Sequence, residues 1–121
     1  MDNLSETWVT APKRPAADGP KDACLVHIYP TGPAMGARYP LTVAGVVVGR
    51  GDDSTIQIQD HSVSRRHARI LPTANGFQVT DLHSTNGTFV NDQRVSGRAV
   101  LSPGDRLRVG RVELSVRKAE S

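Results

Sequence analysis

Apolar and polar residues alternate one for one in Thr55-Ile56-Gln57-Ile58-Gln59, and again in Arg106-Leu107-Arg108-Val109 and Val112-Glu113-Leu114-Ser115-Val116. Successive side chains on an extended backbone point to opposite faces, so segments of this kind bury one face and wet the other. A helix needs apolar residues three and four positions apart, and no stretch of the chain reads that way. From Cys24 onward the sequence is instead a series of short β-rich runs: CLVHIY, RYPLTV, VVVG, TIQIQ, HARIL, FQVTD, TFV, RV, RAVL, DRLRVG and VELSVR. Turn residues punctuate them, among them Asn75-Gly76, Asn86-Gly87 and Pro103-Gly104-Asp105. Many short strands without interposed helices predict an all-β sandwich of two antiparallel sheets, with functional residues on loops at one end.

The 121 residues suffice for one such domain and no second core. Residues 1–22 mix Pro, Ala, Lys and Asp without an apolar period and are expected to form a flexible N-terminal tail. The domain is expected over residues 23–117, with 118–121 as a C-terminal tail. No apolar run approaches the ~18 residues of a membrane span, and residues 1–20 lack the basic-then-apolar pattern of a secretory signal. A cytoplasmic protein without a membrane partner is the expectation. The single cysteine, Cys24, excludes an internal disulfide, and His27, His61, His67 and His83 lack zinc-ligand spacing, so neither metal nor cofactor is expected. A net charge of +3 is too small to mark a nucleic-acid binder unless the basic side chains cluster.

Three segments carry polar or glycine residues that a plain sandwich does not need: Gly49-Arg50, Ser64-Arg65-Arg66-His67 and Asp81-Leu82-His83-Ser84-Thr85-Asn86-Gly87-Thr88. Each lies at a strand-to-loop junction, so the three are expected to converge at one end. Together they offer guanidinium, hydroxyl and carboxamide donors with few carboxylates, which is the composition of an oxyanion site. A phosphate, with about −1.5 to −2 charge and strong acceptor oxygens, suits a fork of arginine donors.

Gly49-Arg50, Ser64-x-x-His67 and Ser84-Thr85-Asn86-Gly87-Thr88 followed by Val90-Asn91 resemble, in order and spacing, the motif set of forkhead-associated (FHA) domains. The resemblance covers residues 24–117 and implies an eleven-stranded antiparallel β-sandwich that recognises phosphothreonine peptides through its apical loops, without chemistry of its own. It implies that Arg50 grips the phosphate, that the Ser64 hydroxyl donates to it, and that Arg65 contacts it too. Thr85 lines the pocket for phosphate and threonine methyl, and the Asn86 carboxamide bonds the main chain of the peptide. Gly49, His67 and Gly87 are implied to be structural: Gly49 for close packing, His67 to brace the Ser64 loop, Gly87 for a turn. The partner implied is a phosphothreonine-containing protein in a Ser/Thr kinase pathway. Asp60, His61, Ser62, Val63 and His83 are candidate readers of the residue three positions after the phosphothreonine.

Other readings stay open on the residues alone. Arg66 is either a second phosphate ligand or a solvated charge. Ser64 and His67 invite a nucleophile-and-base reading, but no Gly-x-Ser-x-Gly elbow surrounds the serine, so no enzyme is expected. Nucleic acid is not an expected partner, because Phe77 and Phe89 fall in strands as core and leave no stacking platform. A scaffold that binds proteins without phosphate is the principal alternative. In the tail, Thr7 and Thr10 flank the only tryptophan, Trp8, and are candidate phosphorylation sites for docking into the chain's own pocket or that of a neighbour.

Overall fold

In Arg106-Leu107-Arg108-Val109 the alternation becomes geometry: Leu107 and Val109 are wholly buried while the arginines face outward. The computed structural model describes residues 23–74 and 76–118. Within them the chain forms eleven strands: β1 (Ala23–Tyr29), β2 (Arg38–Leu41), β3 (Val46–Gly49), β4 (Ile56–Gln57), β5 (Ala68–Thr73), β6 (Gly76–Asp81), β7 (Thr88–Val90), β8 (Gln93–Arg94), β9 (Arg98–Leu101), β10 (Arg106–Val109) and β11 (Val112–Lys118). They make a five-stranded sheet ordered β9-β6-β5-β3-β4 and a six-stranded sheet ordered β2-β1-β11-β10-β7-β8. The inner faces meet over Leu25, Val48, Ile70, Phe77, Val79, Leu101, Leu107 and Leu114, none more than 1% exposed. The tail, with Thr7 and Thr10, and the turn residue Asn75 lie outside the described residues.

Three local readings are corrected. The β3–β4 pair is parallel, with Val48 opposite Ile56, so the sandwich is not uniformly antiparallel. The Thr55–Gln59 run pairs only over Ile56–Gln57; Ile58 nonetheless stays buried, its N–H on the Gly49 carbonyl at 2.8 Å. Phe89 is not core. Thr88 takes the inward position because its hydroxyl donates to Asp81 at 2.7 Å. That turns Phe89 to the outer face, half-buried beneath the Arg108 guanidinium, 3.9 Å from the ring centroid.

Strand register decides which loops meet. In one sheet Val48 pairs with Ala68 and Ala68 with Asp81, so the end of β3, the start of β5 and the end of β6 lie together. In the other, Thr88 pairs with Val109, Val109 with Val112, and Glu113 with Tyr29. The loops after β1, β3, β4, β6 and β10 therefore gather at one apex. The Pro103-Gly104 reversal closes with the Asp105 N–H on the Ser102 carbonyl at 3.0 Å.

Candidate functional site

Arg50 follows the last residue of β3 and is exposed. Its Nε donates to the Val63 carbonyl at 3.0 Å, and its backbone N–H to the Ser64 carbonyl at 2.9 Å. The Gly51 N–H at 3.0 Å and the Ser54 hydroxyl at 3.0 Å both donate to the Arg65 carbonyl. These bonds staple the β3–β4 loop to residues 63–65, and the approach explains Gly49: a Cβ there would collide with the Arg65 carbonyl oxygen and lie 2.7 Å from Ser54 Oγ. Because Arg50 is anchored through Nε alone, its terminal Nη fork is left for a ligand.

His67 holds two loops together. The ring is wholly buried; Nδ1 accepts the Ser64 N–H at 3.0 Å, and Nε2–H donates to the Gly87 carbonyl at 2.8 Å. Those two bonds select one neutral tautomer, since Nδ1 must keep its lone pair. Burial lowers the pKa of the ring, against the opposing pull of the Gly87 carbonyl and Asp81. Across the bridge, Ser64 Oγ accepts the Thr85 N–H at 3.0 Å, so its own hydrogen remains to donate. Asn86 Nδ2 donates to the Ser62 carbonyl at 2.8 Å, which fixes the carboxamide and leaves Oδ1 and the second N–H for a ligand. His67 receives the backbone N–H of Ser64 and not its hydroxyl, so the two are not arranged as base and nucleophile.

Two carboxylates organise the apex, and sequence reasoning missed both roles. Asp81 accepts from the Ser84 hydroxyl at 2.5 Å, the Ser84 N–H at 3.2 Å and the Thr88 hydroxyl at 2.7 Å. Burial works to raise its pKa, but these donors and His67 outweigh it and the carboxyl is shifted down. The Ser84 hydroxyl in turn accepts the Gly87 N–H at 3.0 Å, and Gly87 turns the chain at φ 91°. Asp60 takes the Ser62 N–H at 2.9 Å and hydroxyl at 2.7 Å, and Arg111 Nε and Nη2, each at 3.0 Å. Burial again opposes ionisation, yet Arg111 and Ser62 pull the Asp60 carboxyl down to about 2. The legible signal was an aspartate followed two or three residues later by serine, the pattern of side chains that cap their own turns.

The structure brings Arg50, Ser64, Arg65, Thr85 and Asn86 to one apex, with Arg50 and Arg65 exposed and neither in an ion pair among the described residues. Arg66 turns instead to Asp53 at 3.6 Å. Of the five candidate readers, Val63 is wholly buried and Asp60 and Ser62 are committed to internal bonds, which leaves exposed His61 and His83. Among the described residues no group of His, Cys, Asp and Glu gathers as metal ligands, and no helix is long and apolar enough to cross a membrane.

Comparison with known proteins points the same way. The FHA domain family model matches residues 46–110. The glycogen accumulation regulator GarA of Mycobacterium tuberculosis is 43% identical over 83 residues, 69% of this chain and 51% of GarA, so the chain spans about half the length of that relative. A solved structure from a study of phosphothreonine-dependent FHA domain interactions has a TM-score of 0.71 at 33% identity, covering 82% of this chain and 98% of the other. Mycobacterium tuberculosis EmbR, solved with a low-affinity phosphopeptide, has a TM-score of 0.72 at 33% identity over 82% of this chain and 25% of EmbR.

Proposed function

The chain belongs to the FHA domain family, and from that premise we propose that it is a cytoplasmic phosphothreonine-recognition module, an adaptor that reads Ser/Thr kinase products and performs no chemistry. One observation carries the reading: Arg50 and Arg65, exposed and unpaired among the described residues, flank a Ser64 hydroxyl whose proton is free to donate. An oxyanion held by both guanidiniums and that hydroxyl receives charge-assisted bonds, roughly twice as strong as neutral ones.

In this reading the Arg50 Nη fork takes the phosphate, Ser64 donates to a second oxygen and Arg65 closes the third side. Thr85 lines the space for the threonine methyl. Asn86, held by Ser62, offers its carboxamide to the main chain of the peptide and so fixes an extended ligand without reading side chains. Gly49, His67 and Gly87 keep the three loops in place.

A ¹⁵N chemical-shift titration with matched phosphothreonine, phosphoserine and unphosphorylated peptides tests it. Saturable shifts at Arg50, Ser64, Arg65, Thr85 and Asn86 with the phosphothreonine peptide alone are expected. Equal shifts with the unphosphorylated peptide would overturn the reading in favour of a phosphate-independent scaffold. Affinity that falls steeply with salt would point to nucleic acid instead.

A further inference from the structure

The outer face of the six-stranded sheet meets the apex at Gly87. Arg94 and Arg108 stand on that face, each opposite Phe89 in the strand register, and both guanidiniums lie over its ring, 5.8 and 3.9 Å from the centroid. Gly87, the residue after Asn86, closes against this stack: a Cβ there would lie 3.0 Å from the Phe89 ring and 3.3 Å from the Arg94 guanidinium carbon. Arg108 is held from a second side, its Nη1 donating to the Gly110 carbonyl at 3.1 Å, while the Gly110 N–H donates to the Gly87 carbonyl at 3.1 Å. The stack and the loop that carries Asn86 are therefore packed together.

Neither arginine meets a carboxylate among the described residues. Glu113 stands opposite Arg108 in the register, yet its carboxylate lies 3.5 Å from Arg106, which also meets Asp92 at 3.0 Å. Arg106 is thus neutralised, two residues from an arginine on the same face that is not. An aromatic ring attracts a guanidinium through its quadrupole and cancels none of its charge. Half-buried Arg108 and exposed Arg94 are so placed as cations with N–H donors to spare, as Arg50 is at the phosphate site.

We propose that Arg94 and Arg108 form a second anion site, which receives carboxylates from an acidic stretch flanking the phosphothreonine in the same partner. The inference rests on the phosphothreonine reading and extends it to the flanking sequence of the partner. Consecutive Cα atoms are ~3.8 Å apart, and Gly87 follows Asn86 directly, so a peptide whose main chain is bonded to Asn86 has a flank within reach of the stack. Charge selects the occupant: two unneutralised guanidiniums attract Asp or Glu, and their planar forks match carboxylate oxygens in pairs. A nucleobase fits less well, because Phe89 is half-buried and already carries a guanidinium where a base would stack.

Binding of synthetic peptides to the full chain tests this: a phosphothreonine peptide with neutral flanks, and the same peptide with a run of glutamates either before or after the phosphothreonine. One acidic flank is expected to tighten binding about five- to tenfold at low salt, the scale of two partly exposed ion pairs, and to lose that gain at high salt. Arg94→Gln with Arg108→Gln should remove the gain and leave the affinity for the neutral peptide within about twofold; Arg94→Gln alone, at an exposed position, should remove part of it. Arg69→Gln with Arg98→Gln, which takes the same charge from the outer face of the other sheet, should keep it. No gain at either flank, an equal gain at both, a gain that survives loss of Arg94 and Arg108, or one lost equally with Arg69 and Arg98 overturns the proposal while phosphate dependence stands. Tighter binding of an oligonucleotide than of the acidic peptide, abolished by the Arg94 and Arg108 substitutions, overturns it in favour of nucleic acid. Failure of the neutral phosphothreonine peptide to bind the unsubstituted chain overturns the parent reading, and this proposal with it.

Discussion

Arg111 donates to Asp60 through Nε and Nη2, each at 3.0 Å, and its backbone N–H donates to the Ser62 hydroxyl oxygen at 2.9 Å. Arg65, at the other end of the loop that carries Asp60, meets no carboxylate among the described residues, and Arg50 touches that loop only through the neutral Val63 carbonyl. The residue type is the same and the exposure similar, but the first guanidinium is neutralised and closes a loop, while the other two keep their charge and Arg50 is oriented by the Val63 carbonyl. A carbonyl anchor fixes direction without cancelling charge. Electrostatic readiness at this apex therefore comes from where the carboxylates are absent, and loop order from where they are present.

The sharpest way to break that contrast is Arg50→Ala. Loss of two charge-assisted bonds to phosphate should weaken phosphopeptide binding by about a hundredfold or more. Stability should move by no more than ~0.5 kcal/mol, as for other exposed substitutions. Calorimetric titration beside a thermal melt reads both quantities. Arg50→Lys should fall between, because it keeps the charge and loses the fork and the Nε anchor. A threefold effect or less in Arg50→Ala would mean that the unpaired guanidinium is not where the ligand binds.

His67→Ala acts on loop order and leaves both unpaired arginines in place. It empties a wholly buried position and strands the Ser64 N–H and Gly87 carbonyl. A loss of about 2–4 kcal/mol is expected, from unpaired polar groups and a cavity together, with phosphopeptide affinity falling as the loops loosen. The same ring sets a pH dependence. An unfolded imidazole titrates near 6.5, and burial holds the folded one lower, so between those values the unfolded chain binds more protons. The contribution of His67 is complete above about pH 6.5 and declines as pH falls below it. Melts of the unliganded protein from pH 7.5 to 5 should show that decline, and His67→Ala should flatten it. Asp60 adds a separate loss in strong acid, between the ordinary carboxyl range and about 2.

Fold and site were legible in the sequence to different depths. Alternation reports which face a side chain takes, so the runs around Leu107, Val109, Leu114 and Val116 gave both strands and core. It carries no information about the direction of a partner strand, so the parallel β3–β4 pair was invisible. Phe89 read as core because an aromatic in a strand normally is; the inward place went to Thr88, whose hydroxyl had a carboxylate to meet. At the apex, Arg50, Ser64, Arg65, Thr85 and Asn86 were named from motif spacing, and their loops converge. The roles of Asp60, which the sequence offers only as a specificity contact, and of Asp81 escaped notice because they lie in bonds across loops, to Arg111 and Thr88, that only the folded chain brings together.

A smaller effect is expected on the neutralised side. Arg111→Ala removes the cation from Asp60 and loosens Ser62, the residue that positions Asn86. Affinity should fall by roughly two- to fivefold, because Arg111 is itself exposed and acts on the ligand only through the Asp60–Ser62 turn. The Asp60 carboxyl should rise from about 2, a shift that a carbon-detected NMR titration reads directly. A loss as large as that of Arg50→Ala would erase the distinction between the two sides.

The smallest effect, and the finest test, sets neighbours against each other. Arg66 pairs with Asp53 at 3.6 Å, with 56% and 69% of the two side chains exposed. An ion pair so open contributes about 0–1 kcal/mol, and its removal should leave phosphopeptide affinity within roughly twofold. Arg65→Ala, one residue away, should cost about tenfold, because its guanidinium has no carboxylate to leave behind and its loss falls wholly on the ligand. Arg66 meets Asp53 and Arg65 meets no carboxylate among the described residues, so the two substitutions share loop, charge and exposure and differ in pairing. If Arg66→Ala weakened binding as much as Arg65→Ala, net positive charge at the apex, and not the placement of unpaired arginines, would account for recognition.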